Sequence, residues 1–318
     1  MLDIKDKKIL SELLQNAKIS HSQLAKKVGV SREMIAYRMK RLEEKHIIKQ
    51  YYTLINHEAL ELRRHIVFLQ INNVSIDKEK EILEYLKQHR YVTSLSPIIG
   101  KWNFVFDLII PDDNALKETI QEIGVVTEQY KGSFIVISGY KRGVFYPTKL
   151  VGIQKDITFK QTNKYVIDEK DKRILRLIAE HARIEYIELS QKLDMPATTI
   201  AHRIKNLERS GIIQGYTCAV DYKLLGWECY NLQIQLTQTH NETFYQFAKS
   251  HMNIQFYYEY FGHEGWDVDL GIIVRDINEL RKIIVEIKEH CGNALRIQNM
   301  YAVERSVKDN ITPKGALD

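Results

Sequence analysis

Two stretches of the chain carry side chains suited to touching a polyanion. Along residues 31–44, a turn of about 100° per residue sets Tyr37, Lys40 and Arg41, with Glu33 and Glu44, opposite the apolar Ile35, Met39 and Leu42, and leaves Arg32 on the first turn. Farther on, Thr198, Thr199, His202, Lys205, Asn206 and Arg209 hold the corresponding places. Arginine and lysine can read guanine or meet phosphate, asparagine can read adenine, and hydroxyls such as those of Ser31 and the two threonines suit phosphate oxygens. The plainer reading of the same residues is a solvated helix face. Arg38 and Arg203 lie nearer the apolar stripes, where each can pair with an acid, Asp6 or Asp171, or reach a phosphate.

The two stretches belong to an internal repeat. Residues 3–51 align without a gap on residues 168–216, with about 19 of 49 positions identical, which marks a duplicated unit rather than a shared composition. Within the first copy, Ile9, Leu10, Leu13 and Leu14 predict one helix, and Ser20 with Gln23 has the spacing of a capping box that opens a second. Gly29 can end that helix in the left-handed conformation, and Ser31 can cap a third. Three short helices with a tight turn before the last make a helix-turn-helix. Residues 47–55, rich in β-branched and aromatic types, then predict a wing strand leading away from the helices. In the second copy Asp194 stands where Gly29 was and Pro196 where Ser31 was, so its turn lacks a side-chain cap.

Each helix-turn-helix is followed by alternating periods that predict the order βαββαβ. In the first unit the strands are 65–74, 91–99, 102–110 and 133–140 with helices 78–89 and 112–123; the second repeats the order between 230 and 303. This is the ferredoxin-like arrangement, whose helices cover one sheet face and leave the other for a partner sheet. The expected fold class is therefore α+β, two winged helix-turn-helix domains alternating with two ferredoxin-like domains. The boundaries are residues 1–56, 62–143, 165–221 and 226–306, with a linker at 144–164 and a loose tail at 307–318.

Composition narrows the function classes. The chain has 318 residues, 44% of them hydrophobic, and a net charge of +5. Residues 1–56 hold 12 Lys and Arg against 6 Asp and Glu, whereas residues 164–222 hold 10 against 9, so the first copy carries the stronger positive field. Cys218, Cys229 and Cys291 are scattered, which argues against a disulfide framework or a zinc site and fits a reducing cytoplasm. No apolar run reaches the ~18 residues of a membrane span. The histidines are dispersed, with none beside an evident nucleophile, and no cofactor is expected.

This combination resembles the Lrp/AsnC, or feast/famine, family of prokaryotic transcription regulators. The resemblance rests on Asp168 to Leu175, Ala182-Arg183-Ile184, Glu188-Leu189-Ser190, His202 to Glu208 and Gly211 to Tyr216, and in the first copy on Val28-Gly29-Val30-Ser31. It implies sequence-specific binding of double-stranded DNA and ligand-sensing domains of the RAM type. A small-molecule effector such as an amino acid would bind near Gly100, Trp102 and Asn103 and near Gly262, Trp266 and Asp267. It also implies an intrachain pseudo-dimer that associates further with its own kind. For Trp102 and Trp266 a core role competes with the effector role, and for Asp267 and Asp269 a solvated strand face competes with a metal or amine role. A second class, an enzyme resembling the sirohaem decarboxylases, shares the architecture. It would need a histidine entering the sensor's second strand, and residues 92–96 and 254–258 have none.

Overall fold

The computed structural model describes residues 2–130, 132–144, 165–237, 242–260 and 265–309. Helix α1 (Ile4–Gln15) opens on a capping box in which the Asp3 side chain accepts from the Asp6 amide and the Asp6 side chain accepts in return. Ser20 and Gln23 form the expected box on α2 (His21–Val28), and Gly29 ends it at φ 74°, a conformation glycine adopts without steric cost. Ser31 caps α3 (Arg32–Glu44), whose Ile35, Met39 and Leu42 are buried. Each such side chain contributes roughly 1.5–3 kcal/mol by leaving water, so an aspartate at Ile35 would undo the packing of all three helices. The second copy repeats the scheme in α6 (Glu169–Glu180), α7 (Tyr186–Leu193) and α8 (Ala197–Arg209). Here α7 and α8 lack side-chain caps, and Asp194 takes the left-handed turn at φ 51°.

The wings do not lead away from the helices as the sequence suggested. Strands β1 (Ile48–Ile55) and β6 (Ile213–Val220) pair with each other, antiparallel, across the two copies. Each then docks on the other copy's first helix. The Thr217 hydroxyl donates to the Leu14 carbonyl at 2.7 Å, and the Ala17 amide to the Tyr216 carbonyl at 2.9 Å. The Thr53 hydroxyl likewise donates to the Ile178 carbonyl at 2.5 Å, and the Ala182 amide to the Tyr51 carbonyl at 3.0 Å. Cys218 and Val220 lie in the first helical core, and Ala17 and Ile55 in the second. Apolar residues on both faces drive this crossing, because a wing standing alone would leave one face wet.

The remaining strands form a single closed arrangement. The first unit contributes β2 (Arg63–Gln70), β3 (Val92–Ile99), β4 (Phe104–Ile110) and β5 (Ser133–Val144); the second contributes β7 (Glu228–Leu236), β8 (Ile254–Tyr260), β9 (Val268–Val274) and β10 (Leu295–Val303). Within each unit the order is second-third-first-fourth, the ferredoxin-like topology. Helices α4 (Ile76–Gln88) and α5 (Asp113–Thr127) cover one face of the first sheet, and α9 (Glu242–Ser250) and α10 (Ile277–Cys291) that of the second. The other faces meet, with Phe68, Trp102, Trp266, Tyr260 and Tyr301 between them. Strand β5 runs beyond its expected end at residue 140, pairing first with β2 and then, from Gly139 to Val144, with β8. Strand β10 pairs with β3 at the opposite seam, Ala302 against Ile99. The start of the tail, expected to be loose, is held as β11 (Lys308–Asp309) against Leu95 and Ser94 of β3. The expected linker falls mostly outside the described residues.

Candidate nucleic-acid interface and inter-sheet cavity

The outward faces of α3 and α8 separate the expected contact residues into two groups. Arg32, Tyr37 and Lys40 are exposed on α3, and Thr198, Thr199, His202 and Lys205 on α8. These seven side chains point away from their cores. Ser31 is exposed but its hydroxyl accepts from the Met34 amide, so part of its capacity serves the cap.

The other arginines are turned inward. Asp6 is fully buried, and its carboxylate takes Arg38 Nη1 at 2.8 Å on one oxygen and Arg41 Nη2 at 2.5 Å on the other. Arg38 also reaches Asp3 at 2.7 Å. A buried carboxylate needs such donors, because an uncompensated charge costs several kcal/mol. In the second copy Arg203 joins Asp168 and Asp171, each at 2.9 Å, while the Tyr165 hydroxyl donates to Asp171 at 3.0 Å in the role Arg41 plays in the first. Asn206, which stands where Arg41 was, is half-buried and meets the His202 ring at 3.4 Å. Of the two options open to Arg38 and Arg203, the structure displays the ion pair. Arg41, expected as a groove reader, is a third of the way exposed and committed to Asp6. The amides of Asp6 and Asp171 hold the carboxyls of Asp3 and Asp168 below the usual range, assisted by the arginines.

A cavity of about 420 Å³ opens between the two sheets and the crossed wings. Its walls include Arg64 and Asp107, paired at 2.7 Å, with the guanidinium lying 4.7 Å from the Tyr258 ring. Across from them, Asp269 accepts from the Tyr301 hydroxyl at 2.8 Å, and Tyr301 in turn accepts from Asn231 Nδ2 at 2.6 Å. Burial pushes the Asp269 carboxyl up to about 7. Leu14, Tyr52, Cys218 and Val220 carry the wall onto the helix-turn-helix pair.

A family model for winged helix-turn-helix DNA-binding domains matches residues 2–49 and 167–214. The HTH-type transcriptional regulator LrpA of Pyrococcus horikoshii is 32% identical over 120 residues, which are 37% of this chain and 84% of that protein. The chain belongs to the Lrp/AsnC family. A second family relative, the proline dehydrogenase transcriptional activator of Rhodobacter capsulatus, is 30% identical over 147 residues, 46% of this chain and 96% of its own. Each relative thus answers to less than half of this Lrp/AsnC chain, in keeping with a regulator whose unit is present twice. Among solved structures, the siroheme decarboxylase NirDL matches 98% of this chain and 94% of its own with a TM-score of 0.64 at 14% identity, which shows a shared fold for the whole tandem.

In this Lrp/AsnC chain the described residues among those expected to bind an effector do not line the cavity. Trp102 and Trp266 are buried between the sheets, edge and tilted contacts to Phe68 holding both rings. Asn103 accepts from the Ile71 amide at 2.8 Å and Asp267 from the Leu236 amide at 2.6 Å, so both side chains fasten strand ends. Gly100 packs against Tyr301, where an added Cβ would come within 3.0 Å of the tyrosine's own. Gly262 lies outside the described residues. The sequence reading missed Arg64, Asp107, Asn231 and Tyr301. The signal was present as polar residues within otherwise apolar strands, but which sheet face they occupied depends on a register that only the pairing reveals.

Proposed function

We propose that this chain binds an asymmetric DNA operator, laying α3 and α8 in successive major-groove segments about one helical turn, ~34 Å, apart. One observation carries the reading: two helix-turn-helix units are locked into one body by the crossed wings, yet display different outward side chains. Tyr37 stands where the second copy has His202 and Arg32 where it has Ala197, while Lys40 and Lys205 match. Different faces favour different half-sites. Arg32, Tyr37, Lys40, Thr198, Thr199, His202 and Lys205 are the contacts, with Arg38, Arg203, Arg41, Asn206 and Ser31 positioning the helices behind them. A small-molecule effector adjusts the affinity, further association of whole chains extends the footprint, and the protein works in the cytoplasm, where its operator is.

The test is fluorescence anisotropy of the full chain on DNA from upstream of its own gene against a scrambled duplex, across a salt series, followed by footprinting. Tight, salt-sensitive preference with unequal half-sites supports the reading. A perfect palindrome protected equally on both sides by a lone chain overturns the asymmetry, and equal weak binding to both duplexes overturns the regulator.

The fold shared with NirDL favours a second reading, a tetrapyrrole enzyme. The likeness at 14% identity reaches the architecture, and we read this chain as non-catalytic. A tetrapyrrole absorption band in the purified protein would reverse that.

A further inference from the structure

The crossed wings hold the two helix-turn-helix units together, but their ladder alone does not fix how α3 and α8 sit relative to one another. Strands β1 and β6 make a two-stranded ribbon, with register irregularities between Ile48 and Gln50 and between Leu54 and Ile55. Such ribbons twist more than wide sheets and are marginal without support. The bonds made by the Thr53 and Thr217 hydroxyls and the Ala17 and Ala182 amides tie the ribbon to α1 and α6 and the turns that follow them. None of those four bonds reaches α3 or α8.

Two tyrosines do. On β1 the Tyr51 hydroxyl donates to Glu43 of α3 at 2.6 Å, and on β6 the Tyr216 hydroxyl donates to Glu208 of α8 at 2.5 Å. Each ring is in turn met by a cation from the other copy, carried on the turn between its first two helices. The Arg183 guanidinium lies 5.3 Å from the Tyr51 centroid, and the Lys18 ammonium 4.3 Å from that of Tyr216. Lys18, Glu43 and Tyr51 are the first-copy equivalents of Arg183, Glu208 and Tyr216, so the duplication has built the same relay twice. The two are not equally firm. Arg183 Nη1 also donates to the carbonyls of Ala17, at 2.5 Å, and Ile19, at 3.3 Å, and so grips the first copy's turn directly. Lys18 rests on rings, with that of Tyr186 at 5.4 Å as its second. A guanidinium holds its acceptors in a fixed fork, where an ammonium is a point charge on a flexible stem.

We infer that Arg183 is a positioning residue that sets the relative placement of α3 and α8, and with it the half-site spacing the chain accepts. From this one side chain, contacts run to the first copy's turn through Ala17 and Ile19, and to its third helix through Tyr51 and Glu43. Swinging the second unit away from the first breaks both. Assembly itself is carried by Cys218, Val220, Ala17 and Ile55, buried in the opposite cores, so losing Arg183 loosens the placement without parting the halves. DNA makes that placement matter. Each base pair added between half-sites carries one of them about 3.4 Å farther along the duplex and about a tenth of a turn around it, which a fixed pair of helices does not follow. The spacing role rests on the DNA-binding reading; the control of placement does not.

Double electron-electron resonance reads the placement without DNA. Spin labels go on Glu44→Cys and Arg209→Cys, equivalent exposed sites at the ends of α3 and α8, in the full chain carrying Cys229→Ser and Cys291→Ser. A single narrow distance is expected, its width at least doubled by Arg183→Gln and by Tyr51→Phe, and increased less by Lys18→Gln. Tyr51→Phe removes only a hydroxyl, and keeps the test informative where Arg183→Gln fails to fold. Unchanged widths in Arg183→Gln and Tyr51→Phe overturn the inference, and a larger effect from Lys18→Gln than from Arg183→Gln overturns the assignment to Arg183. Anisotropy then compares the footprinted operator with versions whose spacer is one base pair longer or shorter. The unsubstituted chain is expected to bind the altered duplexes at least about tenfold more weakly, and Arg183→Gln less than about threefold more weakly, with the two proteins equal on an isolated half-site. Equal weakening of Arg183→Gln on every duplex would mark Arg183 as merely structural and overturn the spacing role. A chain that prefers no duplex removes the regulator and the spacing role together, while the distances still decide the placement.

Discussion

Arg41 closes on Asp6 at 2.5 Å from the outer face of the third helix, while Arg38 closes on the same carboxylate from within. The acid is buried and its two oxygens are divided between them. Arg38→Ala is expected to destabilise the protein by about 2–4 kcal/mol, because it strips both Asp6 and Asp3 of a charged partner. Arg41→Ala should cost about 1 kcal/mol, since Arg38 remains. Urea unfolding at neutral pH measures both; equal losses would contradict the division.

The second helix-turn-helix is capped less well than the first. Asp194 sits at φ 51° and Pro196 offers no side-chain acceptor at the start of α8. Asp194→Gly should raise stability by up to about 1 kcal/mol, and Pro196→Ser by roughly 0.5–1 kcal/mol through a bond like that of Ser31 to the Met34 amide. Differential scanning calorimetry decides, and a lower melting temperature in both variants would mean the turn is already relaxed.

Gly271 stands where the first copy has Asp107, and the Phe256 ring fills the place of its side chain. A Cβ there would lie 2.2 Å from Phe256 Cε1. Gly271→Ala should therefore cost about 1–3 kcal/mol. Adding Phe256→Leu should recover most of the loss, and a double-mutant cycle showing no coupling would rule out this contact as the cause.

Asp269 links stability to pH. Its carboxyl, ordinarily near 3.8, is pushed up to about 7 by burial, so the folded chain holds a proton that the unfolded chain releases. The penalty for charging it is absent below pH 3.8, grows as pH rises, and is complete above about 7. Each tenfold in proton affinity is worth about 1.4 kcal/mol, which puts the full effect at ~4 kcal/mol. Asp269→Asn should flatten the fall in unfolding free energy between about pH 4 and 7; parallel curves for the two proteins would show that the acid does not carry it.

Much of the helical part was legible because its signals are local. The Ser20 and Gln23 box, the Gly29 turn, the Ser31 cap and the Ile35, Met39 and Leu42 stripe each involve residues a few places apart, and all took the expected form. The strand order was equally readable from alternation. What escaped was long-range. Nothing within residues 47–55 says that Tyr51 will receive the Ala182 amide, and nothing near Trp102 says that its ring will be sealed between sheets while Arg64 lines the space beside it. A face is chosen by register, and register is set by partners more than a hundred residues away.

The crossed wings also fix how the molecule comes together. Thr53 is held by Ile178 and Thr217 by Leu14, so neither half completes its helical core without the other. When the halves are separate molecules, that exchange is a bimolecular step and dilution undoes it. Joined in one polypeptide, each half meets its counterpart at an effective concentration set by the tether, and assembly becomes a folding event indifferent to protein abundance. A cell can then keep this pairing at a few copies, and the two halves, released from having to match themselves, are open to separate selection.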